Sequence, residues 1–213
     1  MSTEKRDFDK EAAAWDENPA RAQMARDVAQ AVAWQVRLSP DLGVMDFGCG
    51  TGLLTLQLAP LVGSITGVDS SRGMLDVLAG KLARLSLTNV RMRYLDIDAG
   101  DVLDGRYGLI VSSMTLHHIR RVEPLLEQFY RVLAPGGHLC LADLDPDDGQ
   151  FHSDNQGVFH FGFDRVDLRG AFAAAGFEDV RDTTAAEVTK PTRTGELRRF
   201  TIFLMTGRKK EAR

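Results

Sequence analysis

The chain is poor in cysteine, in long apolar runs and in charge of one sign, and each shortage excludes something. Its two cysteines, Cys49 and Cys140, lie one in a glycine-rich segment and one inside an apolar, strand-like stretch. A disulfide scaffold is therefore excluded and a reducing compartment fits. No run approaches the ~18 apolar residues of a membrane span, and the charged residues 1–10 lack the apolar centre of a signal peptide. A cytoplasmic protein is expected. With 26 Lys and Arg against 30 Asp and Glu, the formal charge of −4 is spread along the chain, which leaves no basic footprint for nucleic acid. Residues 208–213 alone form a basic tail, and a frayed, solvated terminus is its expected state. There is no internal repeat or low-complexity tract, and nothing in the sequence assigns an oligomeric state.

What is present is the length for one α/β domain, 213 residues. Apolar residues at helical spacing between 12 and 38, interrupted at Asn18-Pro19, predict a short helix followed by a long one. From Gly43 the pattern alternates: strand 43–47, helix 51–60, strand 64–69, helix 71–86, strands 90–95 and 107–113, helix 122–133 and strand 137–143. Helix 166–175 and a closing strand 200–206 follow. Such alternation specifies a mainly parallel sheet covered on both faces. Pro135-Gly136-Gly137 reads as the end of a helix and the turn into a strand. The expected organisation is a single domain over 1–213, with residues 1–40 as an N-terminal helical lid and 41–206 as the sheet core. Residues 144–165 form a polar, aromatic loop with His152 and His160, of a length that suits a cover over a site.

The most informative segment is Asp46-Phe47-Gly48-Cys49-Gly50-Thr51-Gly52, followed by Val68-Asp69-Ser70. It reads as a strand, a glycine-rich turn, a helix whose first N–H groups face a ligand, and a second strand ending in a carboxylate. Asp69 is placed to accept hydrogen bonds from a ribose diol. Asp46, just before the turn, repels a pyrophosphate but suits a ligand with ammonium and sulfonium charge, which points to S-adenosylmethionine. The third glycine falls at 52, and Leu53 stands where a dinucleotide loop needs glycine. A nicotinamide-dependent Rossmann oxidoreductase is thus the weaker alternative, and a cofactor-binding protein without catalysis is the other.

These residues resemble the class I S-adenosylmethionine-dependent methyltransferases, in particular the small-molecule branch related to ubiquinone and menaquinone biosynthesis methyltransferases. Leu95-Asp96-Ile97 is similar to the family's adenine-contacting segment, residues 112–118 (Ser-Ser-Met-Thr-Leu-His-His) to the motif after its fourth strand, and residues 131–137 to the turn before its fifth. The resemblance implies a Rossmann-like, doubly wound, seven-stranded sheet with the last strand antiparallel. It also implies cofactor contacts from Asp46, Gly48, Cys49, Gly50, Asp69, Ser70, Met74, Asp96, Ile97 and Ser112. Met74 has an equal reading as core, and Asp96 is preferred to Asp98 on the family's spacing. Tyr107-Gly108 and Arg120-Arg121 depart from the family, the latter where an acidic residue is common, so local helix capping is expected to differ.

Methyl transfer from a sulfonium is a direct displacement, in which positioning supplies most of the acceleration and a base adds a factor of ~10²–10⁴. His117, His152 and His160 are the candidate catalytic groups, with one of His117 and His118 structural and the other near substrate. A metal held by His152, His160 and Asp145 matches no strong ligand spacing, and no metal is expected. Phe151, Phe159, Phe161 and Phe163 are candidates for an apolar acceptor pocket, and Phe8 and Trp15 for the lid. The expected activity is methyl transfer to a small-molecule acceptor through an O, S, N or C nucleophile. A nucleic-acid base methyltransferase is disfavoured by the net acidity and by Ser112-Ser113-Met114-Thr115, which is not an Asn-Pro-Pro-Tyr type segment.

Overall fold

A computed structural model describes residues 5–212; residues 1–4 of the charged start and Arg213 of the basic tail fall outside them. Seven strands make one sheet: β1 (Gly43–Phe47), β2 (Ser64–Asp69), β3 (Val90–Tyr94), β4 (Tyr107–Ser113), β5 (Leu133–Leu144), β6 (Glu178–Pro191) and β7 (Leu197–Arg208). They lie in the order β3-β2-β1-β4-β5-β7-β6. The pairs of β1 with β2 and β4, of β2 with β3 and of β4 with β5 are parallel, and β7 runs antiparallel between β5 and β6. The expected doubly wound sheet and its antiparallel last strand are present. Strand order reverses between β1 and β4, so the crevice for a ligand opens at their carboxyl ends.

The period-2 alternation of buried strands sorts side chains to two cores. Val44, Leu109, Val111, Cys140 and Ala142 face one layer with Val28, Val32, Leu54, Leu58 and Leu78. Met45, Ile110, Leu139 and Leu141 face the other with Leu125, Leu126, Phe129, Leu168 and Phe172. The first layer contains α2 (Pro19–Gln35), α3 (Leu53–Leu58) and α4 (Arg72–Leu85); the second contains α5 (Val122–Val132) and α6 (Arg165–Ala174).

Caps explain where the helices start. Asn18 Oδ1 accepts from Ala20 N with Pro19 at the first helical position of α2, Ser71 Oγ accepts from Met74 N in α4, and Asp164 accepts from Val166 N and Asp167 N in α6. Arg121, at the start of α5, makes no side-chain cap, as the departure from the family pattern implied.

The structure corrects three expectations. Helix 51–60 is shorter, since Gly52 is left-handed and α3 proper spans Leu53–Leu58 before a 3₁₀ turn at Ala59–Leu61. Pro135-Gly136-Gly137 lies within β5, not before it, because the chain leaves α5 already extended at Leu133 and absorbs the glycines in a register shift against β4. The basic tail is not wholly frayed. Arg208 ends β7 with an ion pair to Glu178, and Lys209 Nζ donates to the carbonyls of Tyr130 and Leu133 at the end of α5, a favourable place for a cation.

No helix among the described residues is long and apolar enough to cross a membrane.

Candidate active site

The carboxyl ends of β1, β2, β3 and β4 open into a cavity of about 520 Å³ lined also by the N-terminal helices, the 144–165 loop and the end of β6. Its first wall is the turn after β1. Gly48 sits at φ +69°, and a Cβ there would meet Thr115 Oγ1 at 2.2 Å; Gly50 sits at φ +54°, and a Cβ there would meet nothing within 4 Å. Glycine is thus required for close packing at 48, and at 50 the backbone leaves room on the ligand side. The amides of the turn itself are taken up within the protein. Gly48 N and Cys49 N donate to Val68 O at 2.7 and 3.0 Å, and Gly50 N donates to Asp69 Oδ2 at 2.7 Å. These three amides are therefore not offered to an anion such as a pyrophosphate.

What the turn offers is negative charge. Asp46 is buried, with Oδ2 accepting from Thr55 Oγ1 at 2.5 Å, and desolvation, with Asp69 nearby, pushes its carboxyl up to about 7. Asp69 is raised by burial as well, although its oxygens accept from Gly50 N and Ser71 N. Burial raises the Cys49 thiol well above its ordinary range, which makes it a neutral wall and not a nucleophile. A cationic ligand relieves two desolvated carboxylates, and an anionic one does not. Met74, buried, and Leu95, Asp96, Ile97 and Asp98 line the far end. Asp96 Oδ2 pairs with Lys5 at 2.8 Å while Oδ1 accepts from Asp98 N.

The N-terminal segment is docked across this end. α1 (Phe8–Glu11) and the 3₁₀ turn Ala12–Glu17 are tied down by Asp9, which accepts from Ser71 Oγ at 2.5 Å and Gly73 N at 2.8 Å, and by Asp16, which accepts from Thr51 Oγ1 at 2.7 Å and pairs with Lys81.

The second end of the cavity is built by histidines. β4 ends at Ser113, and Met114, at φ +57°, turns the chain through a conformation uncommon for a non-glycine residue. The 3₁₀ turn Leu116–His118 follows. His117 is buried, with Nδ1 2.7 Å from Asp143 Oδ1; Asp143, also buried, accepts from Leu116 N as well. His118 Nδ1 is 2.7 Å from Gly157 O, and His152 Nε2 is 3.2 Å from His117 Nε2. Desolvation, then the neighbouring His117, pushes His118 well below its ordinary range. The same causes, together with His118, take His152 down to about 2. Phe151, Lys190, Arg6 and Arg21 complete this end.

The methyltransferase-domain family profile matches residues 44–137, the glycine turn through the start of β5. Over that stretch the chain is similar to the class I S-adenosylmethionine-dependent methyltransferases. A demethylmenaquinone methyltransferase of Staphylococcus aureus is 32% identical over 123 residues, covering 53% of this chain and 50% of that protein. An O-methyltransferase of Penicillium expansum is 32% identical over 141 residues, covering 62% and 50%. The chain thus spans about half the length of these curated relatives. Among solved structures, a chain of the complex between the Haloferax volcanii Trm112 methyltransferase activator and a methyltransferase superposes with a TM-score of 0.76 at 19% identity, covering 97% of this chain and 99% of that one. At that identity the likeness speaks for the fold.

The cavity gathers Asp46, Gly48, Cys49, Gly50, Asp69, Ser70, Met74, Asp96, Ile97, His117 and His152. Two candidates stand elsewhere. Ser112 is buried in β4, where its hydroxyl donates to Phe47 O and holds β4 against β1. His160 lies behind the wall, with Nε2 2.8 Å from Ile119 O and its ring against Phe163. Asp145 is occupied by Arg165 and Thr201, so the grouping of His152, His160 and Asp145 does not form. Of the four loop phenylalanines only Phe151 lines the cavity. Residues the sequence did not single out are Arg6, Arg21 and the stretch Val188 to Pro191 of β6. No motif marked them, because they reach the cavity through chain reversals far from the glycine turn.

Proposed function

We propose that the chain transfers a methyl group from S-adenosylmethionine to a small acceptor carrying an anionic group, releasing S-adenosylhomocysteine. The observation that carries this reading is one cavity with unlike ends: desolvated carboxylates around the glycine turn, and histidines with cationic side chains opposite. When bound, the cofactor supplies a methyl group already activated on a sulfonium. Asp46 complements its positive charge, Asp69 and Ser70 hold the ribose, and Met74, Asp96 and Ile97 bound the adenine. The docked N-terminal helices exclude water from the reaction.

At the other end Asp143 can only accept when ionised, so His117 carries its proton on Nδ1 and presents Nε2 to His152 and the cavity. His117 and His152 act there on the acceptor's proton, and Asp143 positions His117. Lys190 lies 4.3 Å from the Phe151 ring centroid, and burial, then Arg21 and Arg6, lower its ammonium from the ordinary lysine range. An anionic group on the acceptor relieves that strain. The two free cysteines are both buried, which suits work in a reducing compartment such as the cytoplasm.

Calorimetry with S-adenosylhomocysteine and NADH, followed by labelled S-adenosylmethionine with a panel of carboxylated phenols, thiols and quinols, tests the reading. Binding of S-adenosylhomocysteine, weakened at least tenfold in Asp69→Ala, and label transfer to a panel member are expected. NADH binding in its place would restore the oxidoreductase; cofactor binding without turnover on any acceptor would leave a binding protein.

A further inference from the structure

We propose that His117, His118 and His152 form a three-imidazole site for one divalent transition-metal ion, zinc by its chemistry, with an open position facing the acceptor end of the cavity. The inference rests on the methyl-transfer reading for its purpose and on the side chains alone for its geometry. One ring nitrogen from each histidine lies within 4.8 Å of the others. Three nitrogens bound to tetrahedral zinc at ~2.0–2.1 Å stand roughly 3.3 Å apart, and His117 Nε2 and His152 Nε2 are at 3.2 Å. His118 supplies the third nitrogen within the same 4.8 Å.

The outer contacts make the case stronger than proximity does. The partner of His117 Nδ1 is a buried carboxylate, and that of His118 Nδ1 is a backbone carbonyl. Both partners accept, so each ring carries its proton on Nδ1 and keeps a lone pair on Nε2. A far nitrogen fixed by carboxylate or carbonyl is the usual support of a metal-bound imidazole. His152 comes from the 144–165 loop, and that loop is pinned to the same turn, with Phe159 N donating to His117 O at 2.9 Å. Three rings from two separate segments are thereby held at one spot, all lining the cavity. Three protein ligands and one position open to a cavity is the arrangement of catalytic zinc, not of structural zinc.

The acceptor class follows. With the metal bound, the lone pairs of His117 and His152 are occupied and the ion replaces them as the acidifying group: a hydroxyl or thiol that coordinates in the open position loses its proton to solvent and keeps the electron pair of the broken O–H or S–H bond. That pair forms the new bond to the methyl carbon as the carbon–sulfur bond of the sulfonium breaks, and its electrons remain on the departing thioether. The charge gained by the acceptor matches the charge lost by the donor.

The test uses the whole chain, stripped with chelator and titrated with Zn²⁺ and with Co²⁺, while S-adenosylhomocysteine binding is measured calorimetrically on the same samples. One ion per chain is expected, with the visible absorption of tetrahedral Co²⁺ and a rise in unfolding temperature. Affinity should fall about 10–100-fold in Asp143→Asn and at least as far in His152→Ala, while His160→Ala keeps the wild-type value. His152 is on a half-exposed loop, so its variant remains informative if buried His117→Gln fails to fold. Absence of stoichiometric metal in wild type, or unchanged affinity in His152→Ala, overturns the site even where S-adenosylhomocysteine binds normally. Metal binding without S-adenosylhomocysteine binding would keep the site and sink the methyl-transfer reading.

Discussion

Asp46 is 1% exposed and accepts a hydrogen bond from the Thr55 hydroxyl, while its ionisation is opposed by burial and by Asp69. Its folded value of about 7 lies above the ~3.9 of an unfolded chain. Between these two values the native state binds more protons than the unfolded state, so this group makes the cofactor-free protein less stable as pH rises from about 4 to 7. Cofactor affinity should move the other way. A cation favours ionised Asp46, whose fraction climbs roughly tenfold between pH 6 and 8, and S-adenosylmethionine should bind about that much more tightly at pH 8. Calorimetry at the two pH values checks this, with Asp46→Asn expected to bind weakly and to lose most of the dependence. Asp69, raised in the same direction, leaves a residual slope. A wild-type affinity flat across this range would contradict the electrostatic role given to the turn.

At the scale of elements, legibility follows from how each piece is stabilised. β1, β2, β4 and β5 carry buried apolar residues between helices, and a buried face writes a periodic signal into the sequence. β6 (Glu178–Pro191) has a single buried residue, Ala186, and is held by backbone pairing to β7. A strand fixed by its partner's ladder need not alternate, and this one did not declare itself although it delivers Lys190 to the cavity. His117 was readable beside the glycine turn because one motif follows another. Its partnership with His118 and His152 was not, since a 35-residue separation is closed only by the folded 144–165 loop. The lid is a similar case: two helices were legible, but their docking depends on the side chains of Asp9 and Asp16. Each contributes hydrogen bonds worth about 0.5–1.5 kcal/mol. In Asp9→Ala/Asp16→Ala, amide exchange over residues 8–17 should quicken, and cofactor affinity should fall about tenfold. The unfolding midpoint of the core should change little, because neither side chain contributes to the two apolar clusters. Unaltered exchange in the double variant would mean that the helices are held by Phe8 and Trp15 instead.

For the whole molecule, the net charge of −4 conceals a polar division inside the cavity. Asp46, Asp69 and Asp96 gather where the parallel strands end, while Arg6, Arg21 and Lys190 arrive from the N-terminal helices and the antiparallel edge. Arg6 is paired with Glu11, and Arg21 donates to Trp15 O and stacks on that ring at 3.7 Å. Lys190, against Phe151, is the cation of the three for which an arriving anion has most to offer. Removing its charge should therefore weaken acceptor binding equally in the ground and transition states, which raises KM and leaves kcat alone. Lys190→Met keeps the apolar stem over Phe151 and tests the charge by itself. An increase in KM for a carboxylated acceptor of about tenfold is expected in steady-state kinetics, with no change for the corresponding uncharged acceptor. Equal loss on both acceptors would show that Lys190 acts through packing, and a fall in kcat would place its charge at the reacting atoms.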